Sequence, residues 1–144
     1  MEPAKNFKIF LVDDDAFNLA LTQYHLKSLG YDETVLFSSG TDCLNQLTSR
    51  PQVIFLDHNM DDISGFEVLK KIKRFDANIF VVMLSGQENM ATTIDSLKFG
   101  AFDYIIKGDN APKRITDVMK RITSIQEVME RSKPSVWKKI AAII

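Results

Sequence analysis

The sequence predicts an α/β fold: a doubly wound (βα)5 unit with a five-stranded parallel sheet between two layers of helices. Two observations predict it. Five short apolar runs alternate with segments of helical period along the chain. Three of those runs are almost wholly apolar, the pattern of strands buried on both faces of a parallel sheet. Crossover connections of this kind impose parallel pairing, and their right-handedness puts helices on both faces.

The runs are Phe7–Val12, Thr34–Phe37, Val53–Leu56, Ile79–Leu84 and Tyr104–Ile106, and the second is the weakest. Between them, Phe17–Leu29 places Leu19, Leu21, Tyr24, Leu26 and Leu29 mostly on one side, with Gly30 as its stop. Thr41–Leu47 is a short helix. Ser64–Phe75 opens on Ser64 with Glu67 three residues on, a capping-box pattern. Met90–Phe99 ends at Gly100, and Ala111–Met129 is the longest helical segment.

That last segment carries Ile115, Val118, Ile122, Ile125 and Met129 at heptad spacing. One face packing on the sheet explains the first three. Ile125 and Met129 leave dimerisation or partner docking as a second reading. Lys133-Pro134 is a boundary signal. The expected division is a domain over 1–131, with its core at 7–125, and a basic amphipathic tail over 132–144. In that tail Val136, Trp137, Ile140 and Ile144 recur at helical spacing.

Composition sets bounds on function. With 45% hydrophobic and 26% charged residues, the 144-residue chain has the make-up of one ordinary globular domain rather than a disordered one. The single cysteine, Cys43, excludes an internal disulfide and fits a reducing compartment. No apolar run reaches the roughly 18 residues of a membrane span, and Met1–Lys8 lacks a signal-peptide stretch, so the expected location is cytoplasmic. Residues 1–111 hold ten basic and sixteen acidic side chains, and residues 112–144 hold eight and three. The basic end reads as a solvated helix face. Without a helix-turn-helix or zinc-finger pattern, no direct nucleic-acid binding is expected.

In doubly wound sheets, ligands bind beyond the carboxyl ends of the strands. The first strand ends in Asp13, Asp14 and Asp15, the third in Asp57, the fourth in Ser85 and the fifth in Lys107. Carboxylates gathered at one edge repel one another unless a cation lies among them. An all-oxygen donor set favours Mg²⁺. A lysine, a hydroxyl and a metal are what a transferring phosphoryl group needs, and Asp57 is the natural nucleophile. An Asp at a strand end is by itself more often a turn former or helix cap. The combination over four strands is what points to chemistry.

FLVDDD at 10–15, IFLDHNM at 54–60, VMLSG at 82–86 and GAFDYIIK at 100–107 resemble the receiver domain of bacterial two-component response regulators, the CheY-like family. The resemblance covers residues 7 to about 125 and implies a flavodoxin-like three-layer sandwich. It implies that Asp57 is the phosphoacceptor, charged by a sensor histidine kinase or phosphotransfer protein. Asp13 and Asp14 look like the acidic pair that holds Mg²⁺ with Asp57, and Asn59 like the residue whose backbone carbonyl completes the metal site. Ser85 resembles the hydroxyl that moves toward the phosphoryl group, Lys107 the lysine that binds it, and Tyr104 the aromatic switch that turns inward on activation. Asn59 and Gln87 fall where the family tunes phosphoryl lifetime. Output is then expected through a downstream protein partner on the surface of helix four, strand five and helix five.

Two positions depart from the family pattern. Gly108 follows Lys107 where the family usually has a proline after a cis peptide bond; a non-proline cis bond costs about 2.5–4 kcal/mol, so a trans loop shaped by glycine is expected. Asp61 stands where the family often has proline, and Asp62 follows it; both read as a solvated loop before the Ser64 cap, with an effect on metal affinity or kinase recognition as the alternative. His58, beside Asp57, reads as a partly exposed loop residue, with a role as a near-neutral cation as the alternative. Two other functions compete with the receiver reading. A haloacid-dehalogenase-like phosphohydrolase also uses a strand-end Asp, a hydroxyl, a Lys and Mg²⁺, and Asp13-x-Asp15 imitates its nucleophile motif. A non-phosphorylated receiver-like binding domain would keep the fold alone.

Overall fold

The structure is a computed structural model and describes residues 6–86 and 89–143, with 132–143 described as backbone. Five strands, β1 (Ile9–Val12), β2 (Thr34–Phe37), β3 (Val53–Leu56), β4 (Phe80–Ser85) and β5 (Asp103–Ile106), form one parallel sheet in the order β2-β1-β3-β4-β5. The helices that alternate with them are α1 (Ala16–Ser28), α2 (Gly40–Leu44) with a following 3-10 turn at Leu47–Ser49, α3 (Gly65–Phe75), α4 (Met90–Lys98) and α5 (Ala111–Ile143). The expected (βα)5 order is therefore present, with strand ends displaced by one or two residues.

The central strands β1 and β3 are buried at every position, whereas β2, at the edge, exposes Val35 and Leu36. Phe10, Val12, Phe37, Ile54, Leu56, Val81 and Met83 form a core with Val68, Leu69 and Ile72 of α3. Burying side chains of this size is the main driving force for folding, at about 1.5–3 kcal/mol each.

Three local expectations are corrected. On α1 the buried residues are Leu19, Thr22 and Leu26, while Leu21 and Tyr24 are exposed. Residues 19, 22 and 26 share a face at 3.6 residues per turn, and 21 and 24 fall opposite, so the polar Thr22 is inside. The 41–47 segment is broken: α2 stops at Leu44, and Leu47 is buried from the 3-10 turn. Lys133-Pro134 does not end the last helix, which runs on to Ile143; a residue before proline is biased away from helix, not barred from it. The side chains of the expected tail, Val136, Trp137, Ile140 and Ile144 included, lie outside the described residues.

The chain divides into two units, 1–112 and 113–144. The first holds the sheet and every strand-end residue singled out above. In the second, Ile115, Val118 and Ile122 are buried, and Ile125 and Met129 are about two-fifths exposed, 39% and 41%. Among the described residues no helix is long and apolar enough to cross a membrane.

Candidate functional site

The carboxyl edge of the sheet is assembled by strand register. Val12 of β1 pairs with Leu56 of β3, so Asp13 and Asp57 leave the sheet side by side. Backbone bonds fix both: Asp57 N–H donates to Val12 O at 2.9 Å, and Asp13 N–H to Phe37 O at 3.0 Å. Both side chains are buried, each residue 5% exposed, whereas Asp14 is exposed. One carboxylate oxygen from each of Asp13, Asp14 and Asp57 lies within 4.8 Å of the others.

Asp15 does different work. Its carboxylate accepts from Phe17 N–H at 2.9 Å and caps α1, and it also accepts from the Asn18 amide at 3.2 Å. It is the helix cap that a strand-end Asp most often is. The Asp13-x-Asp15 pair therefore does not act as a catalytic dyad in this geometry.

Lys107 closes the site from β5. Its Nζ lies 2.8 Å from Asp13 Oδ2 and 3.4 Å from Asp57 Oδ1. The loop expected to be altered by Gly108 holds this lysine in place with no cis peptide bond among the described residues. Gly108 adopts φ +141, a conformation open to glycine, and its carbonyl accepts from Ala111 N–H at 3.1 Å. Lys107 N–H donates to Ser85 O at 2.7 Å, which ties the end of β5 to the end of β4. Ser85 itself is fully buried.

The electrostatics follow from this packing. Burial pushes the Asp57 carboxyl up from 3.8 to about 6, and the Asp13 charge adds to the rise; Lys107, and to a smaller degree the Asn59 backbone, pull it back. Burial works against the charge on Lys107, but its bonds to Asp13 and the Asp57 charge outweigh that, and its pKa is raised. Two buried carboxylates with one lysine between them leave negative charge uncompensated. An all-oxygen triad of that kind suits a hard divalent cation, with Asp13, Asp14 and Asp57 as the residues able to hold it.

Asn59 is brought to the site through its backbone, and Tyr104 is not brought to the acids. Tyr104 is 6% exposed, and its ring belongs to the core cluster with Val81 and Met83. It is already turned inward. Gly86 is exposed at the end of β4, and Gln87 lies outside the described residues. His58 is partly exposed, as expected, but its Nδ1 is buried without a hydrogen-bond partner among the described residues, and burial lowers its pKa. Burial thus works against the cation that the alternative reading requires.

Two residues of the site escaped the sequence. A Cβ on Gly65 would overlap the carbonyl oxygen of Asp57 and stand 2.7 Å from His58 Cα, so only glycine lets α3 start this close to the phosphoacceptor candidate. Asp62 is exposed, as expected of a solvated loop, but its carboxylate also accepts from Thr41 N–H at 3.0 Å and Thr41 Oγ1–H at 2.8 Å, contacts the sequence did not predict.

A five-stranded parallel sheet in this order, with its helices and an acidic cluster at the carboxyl edge, defines a CheY-like α/β domain. The chain belongs to the response regulator receiver domain family, whose family model matches residues 9–120. It is similar to the alkaline phosphatase synthesis transcriptional regulatory protein PhoP of Bacillus subtilis, 30% identical over 131 residues that cover 90% of this chain and 52% of that one. It is also similar to the transcriptional regulatory protein ZraR of Escherichia coli, 33% identical over 103 residues, covering 71% of this chain and 23% of that protein. Among solved structures, a BeF3-activated DrrB receiver domain superposes with TM-score 0.74 at 30% identity, covering 82% of this chain and 97% of that one. The chain thus matches about a quarter to a half of these two curated relatives, and nearly all of the isolated receiver domain.

This protein is accordingly a receiver domain of two-component response regulators, a family that interacts with histidine kinases and is not an enzyme family in the ordinary sense. Family membership and the capping role of Asp15 together set aside the phosphohydrolase reading. The matched relatives are named as transcriptional regulators, so the expected absence of nucleic-acid contact stands without support.

Proposed function

We propose that Asp57 accepts a phosphoryl group from a histidine kinase or phosphotransfer protein in a Mg²⁺-dependent step, and that this switches partner binding. The observation that carries the reading is Lys107 Nζ set between Asp13 and Asp57, at 2.8 and 3.4 Å, at the mouth of the acidic triad. An Asp57 oxygen attacks phosphorus, the bond from phosphorus to the donor imidazole nitrogen breaks, and that nitrogen keeps the electron pair and takes up a proton. Asp13, Asp14, Asp57 and the Asn59 backbone carbonyl would hold Mg²⁺, which neutralises charge on the transferring oxygens. Lys107 leaves Asp57 to bind a phosphoryl oxygen, and the Ser85 hydroxyl donates to another. The only chemistry asked of the chain is its own phosphorylation and its own dephosphorylation by water.

Tyr104, already packed inward, would be held there by the phosphorylated state as a shift in population. A downstream partner would read helix four and strand five, where α4 leaves Met90, Ile94 and Leu97 exposed. Homodimerisation through Ile125 and Met129 is the second output this reading allows. The working unit is residues 1–131, in a cytoplasmic setting.

The test is incubation with acetyl phosphate and Mg²⁺, beside Asp57→Asn. The expected product is an acid-stable, hydroxylamine-labile phosphoprotein that the variant does not form. Label on Asp13 would return the phosphohydrolase reading. No label on either protein, with Tyr104 unresponsive to beryllofluoride, would leave a binding domain without phosphorylation.

A further inference from the structure

The loop from His58 to Ser64 follows Asp57 directly and carries Asn59 two residues past it. The loop is held at its far end by Gly65 N–H donating to His58 O at 2.9 Å. Its middle is held by Asp62. That carboxylate takes Thr41 N–H at 3.0 Å, Thr41 Oγ1–H at 2.8 Å and a longer bond from Gly40 N–H at 3.4 Å. All three donors belong to the first turn of α2, twenty-one or twenty-two residues away in sequence. The contact is reinforced by packing: a Cβ on Gly40 would stand 2.7 Å from Ile63 Cγ2 and 2.6 Å from Val68 Cγ2. The N-terminus of α2 therefore presses on the residue next to Asp62.

We infer that Asp62 is a positioning residue for the Asp57 site: by capping α2 it braces the 58–64 loop, which follows Asp57 directly, and so holds the Asn59 backbone in place. Asp62 touches neither the acidic triad nor Lys107. It acts through Asn59, and its effect on phosphorylation rests on the reading of Asp57 as phosphoacceptor. Its effect on Asn59 does not. The carboxylate suits the task because a charged acceptor at a helix N-terminus can satisfy several orphan N–H groups at once.

Ser39 supplies the control. Its Oγ caps the same helix by accepting from Asp42 N–H at 3.1 Å, and that cap does not reach the loop. The experiment compares the full chain with Asp62→Ala, Asp62→Asn and Ser39→Ala, in the absence of metal, by amide hydrogen exchange at Asn59. Loss of the brace is expected to speed Asn59 exchange roughly fivefold in Asp62→Ala, with Asp62→Asn between it and the wild type. Ser39→Ala is expected to lower the melting temperature and leave Asn59 exchange unchanged. A parallel titration with MgCl₂ is expected to show a higher half-saturation for Asp62→Ala alone. Unchanged Asn59 exchange in Asp62→Ala, or an equal rise in Ser39→Ala, overturns the inference. Failure of the wild-type chain to bind Mg²⁺ would instead overturn the proposed function, while Asn59 exchange still decides the role of Asp62.

Discussion

Gly65 sits so close to Asp57 that its missing side chain is part of the site. A methyl group there would collide with the carbonyl oxygen of Asp57 and crowd His58 Cα. Both neighbours are backbone, so neither yields by changing rotamer. Gly65→Ala is expected to cost about 1–3 kcal/mol, as overpacking does, and to displace Asp57. Urea unfolding measures the first effect. Phosphorylation by acetyl phosphate measures the second, and the rate is expected to fall further than the lost folded fraction accounts for. A normal rate per folded molecule would mean that α3 shifts without moving Asp57.

The fold and most of the site were legible because they are local. Buried parallel strands print as apolar runs, so the ends of β1, β3, β4 and β5, and with them Asp13, Asp57, Ser85 and Lys107, fall at readable places. Asp62 was illegible for the opposite reason. Its partners lie on α2, and no local pattern shows whether a loop acid that faces water also caps a distant helix. Gly65 was missed because a glycine beside a helix cap is common. Its reason is contact with the Asp57–His58 backbone just past β3, which exists only once the chain is folded. On α1, counting apolar residues outweighed their angles, and Thr22 was the buried residue rather than Leu21 or Tyr24.

The pH dependence of the metal-free protein follows from Asp57. Its folded-state value of about 6 lies above the ordinary 3.8. Between those values the folded state binds more protons than the unfolded one, so stability is full below about pH 4 and declines as pH rises through 6. Asp57→Asn removes that decline. It is expected to be more stable than the wild type at pH 7 by about 1–2 kcal/mol, after allowance for solvent screening, and equal to it near pH 4. Thermal melts at both pH values check this. A wild type that is equally stable across the range would mean that Lys107 fully neutralises the acid pair.

Lys107 offsets repulsion between Asp13 and Asp57 now, and is expected to bind the phosphoryl group during transfer. Lys107→Met removes both contributions. In the metal-free protein the Asp57 carboxyl is expected to titrate above its present value of about 6, because the lysine is the main group pulling it down. Carbon-detected NMR titration of the carboxyl resonance reads that directly. Phosphorylation by acetyl phosphate is expected to slow by about 10²–10³, the usual loss when one preorganised donor to a transferring group is removed. A rate within threefold of wild type would remove Lys107 from the proposed transfer step.

Mg²⁺ is expected to stabilise the wild-type chain, because an ion that binds the folded state alone shifts unfolding by mass action. Asp13 and Asp14 differ in a way that makes the test specific. Asp13 is buried and paired with Lys107 at 2.8 Å, so replacing it disturbs the metal-free protein as well. Asp14 is exposed and contributes to the acidic triad without that ion pair. Asp14→Asn is therefore expected to melt like the wild type without metal and to lose most of the rise produced by MgCl₂. Asp13→Asn is expected to alter the metal-free melt too, because Lys107 keeps only Asp57 as its partner. At 100 times its dissociation constant the ion would add about 2.7 kcal/mol, enough to resolve by calorimetry. An undiminished MgCl₂ response in Asp14→Asn would place the cation on Asp13 and Asp57 alone and take Asp14 out of the site.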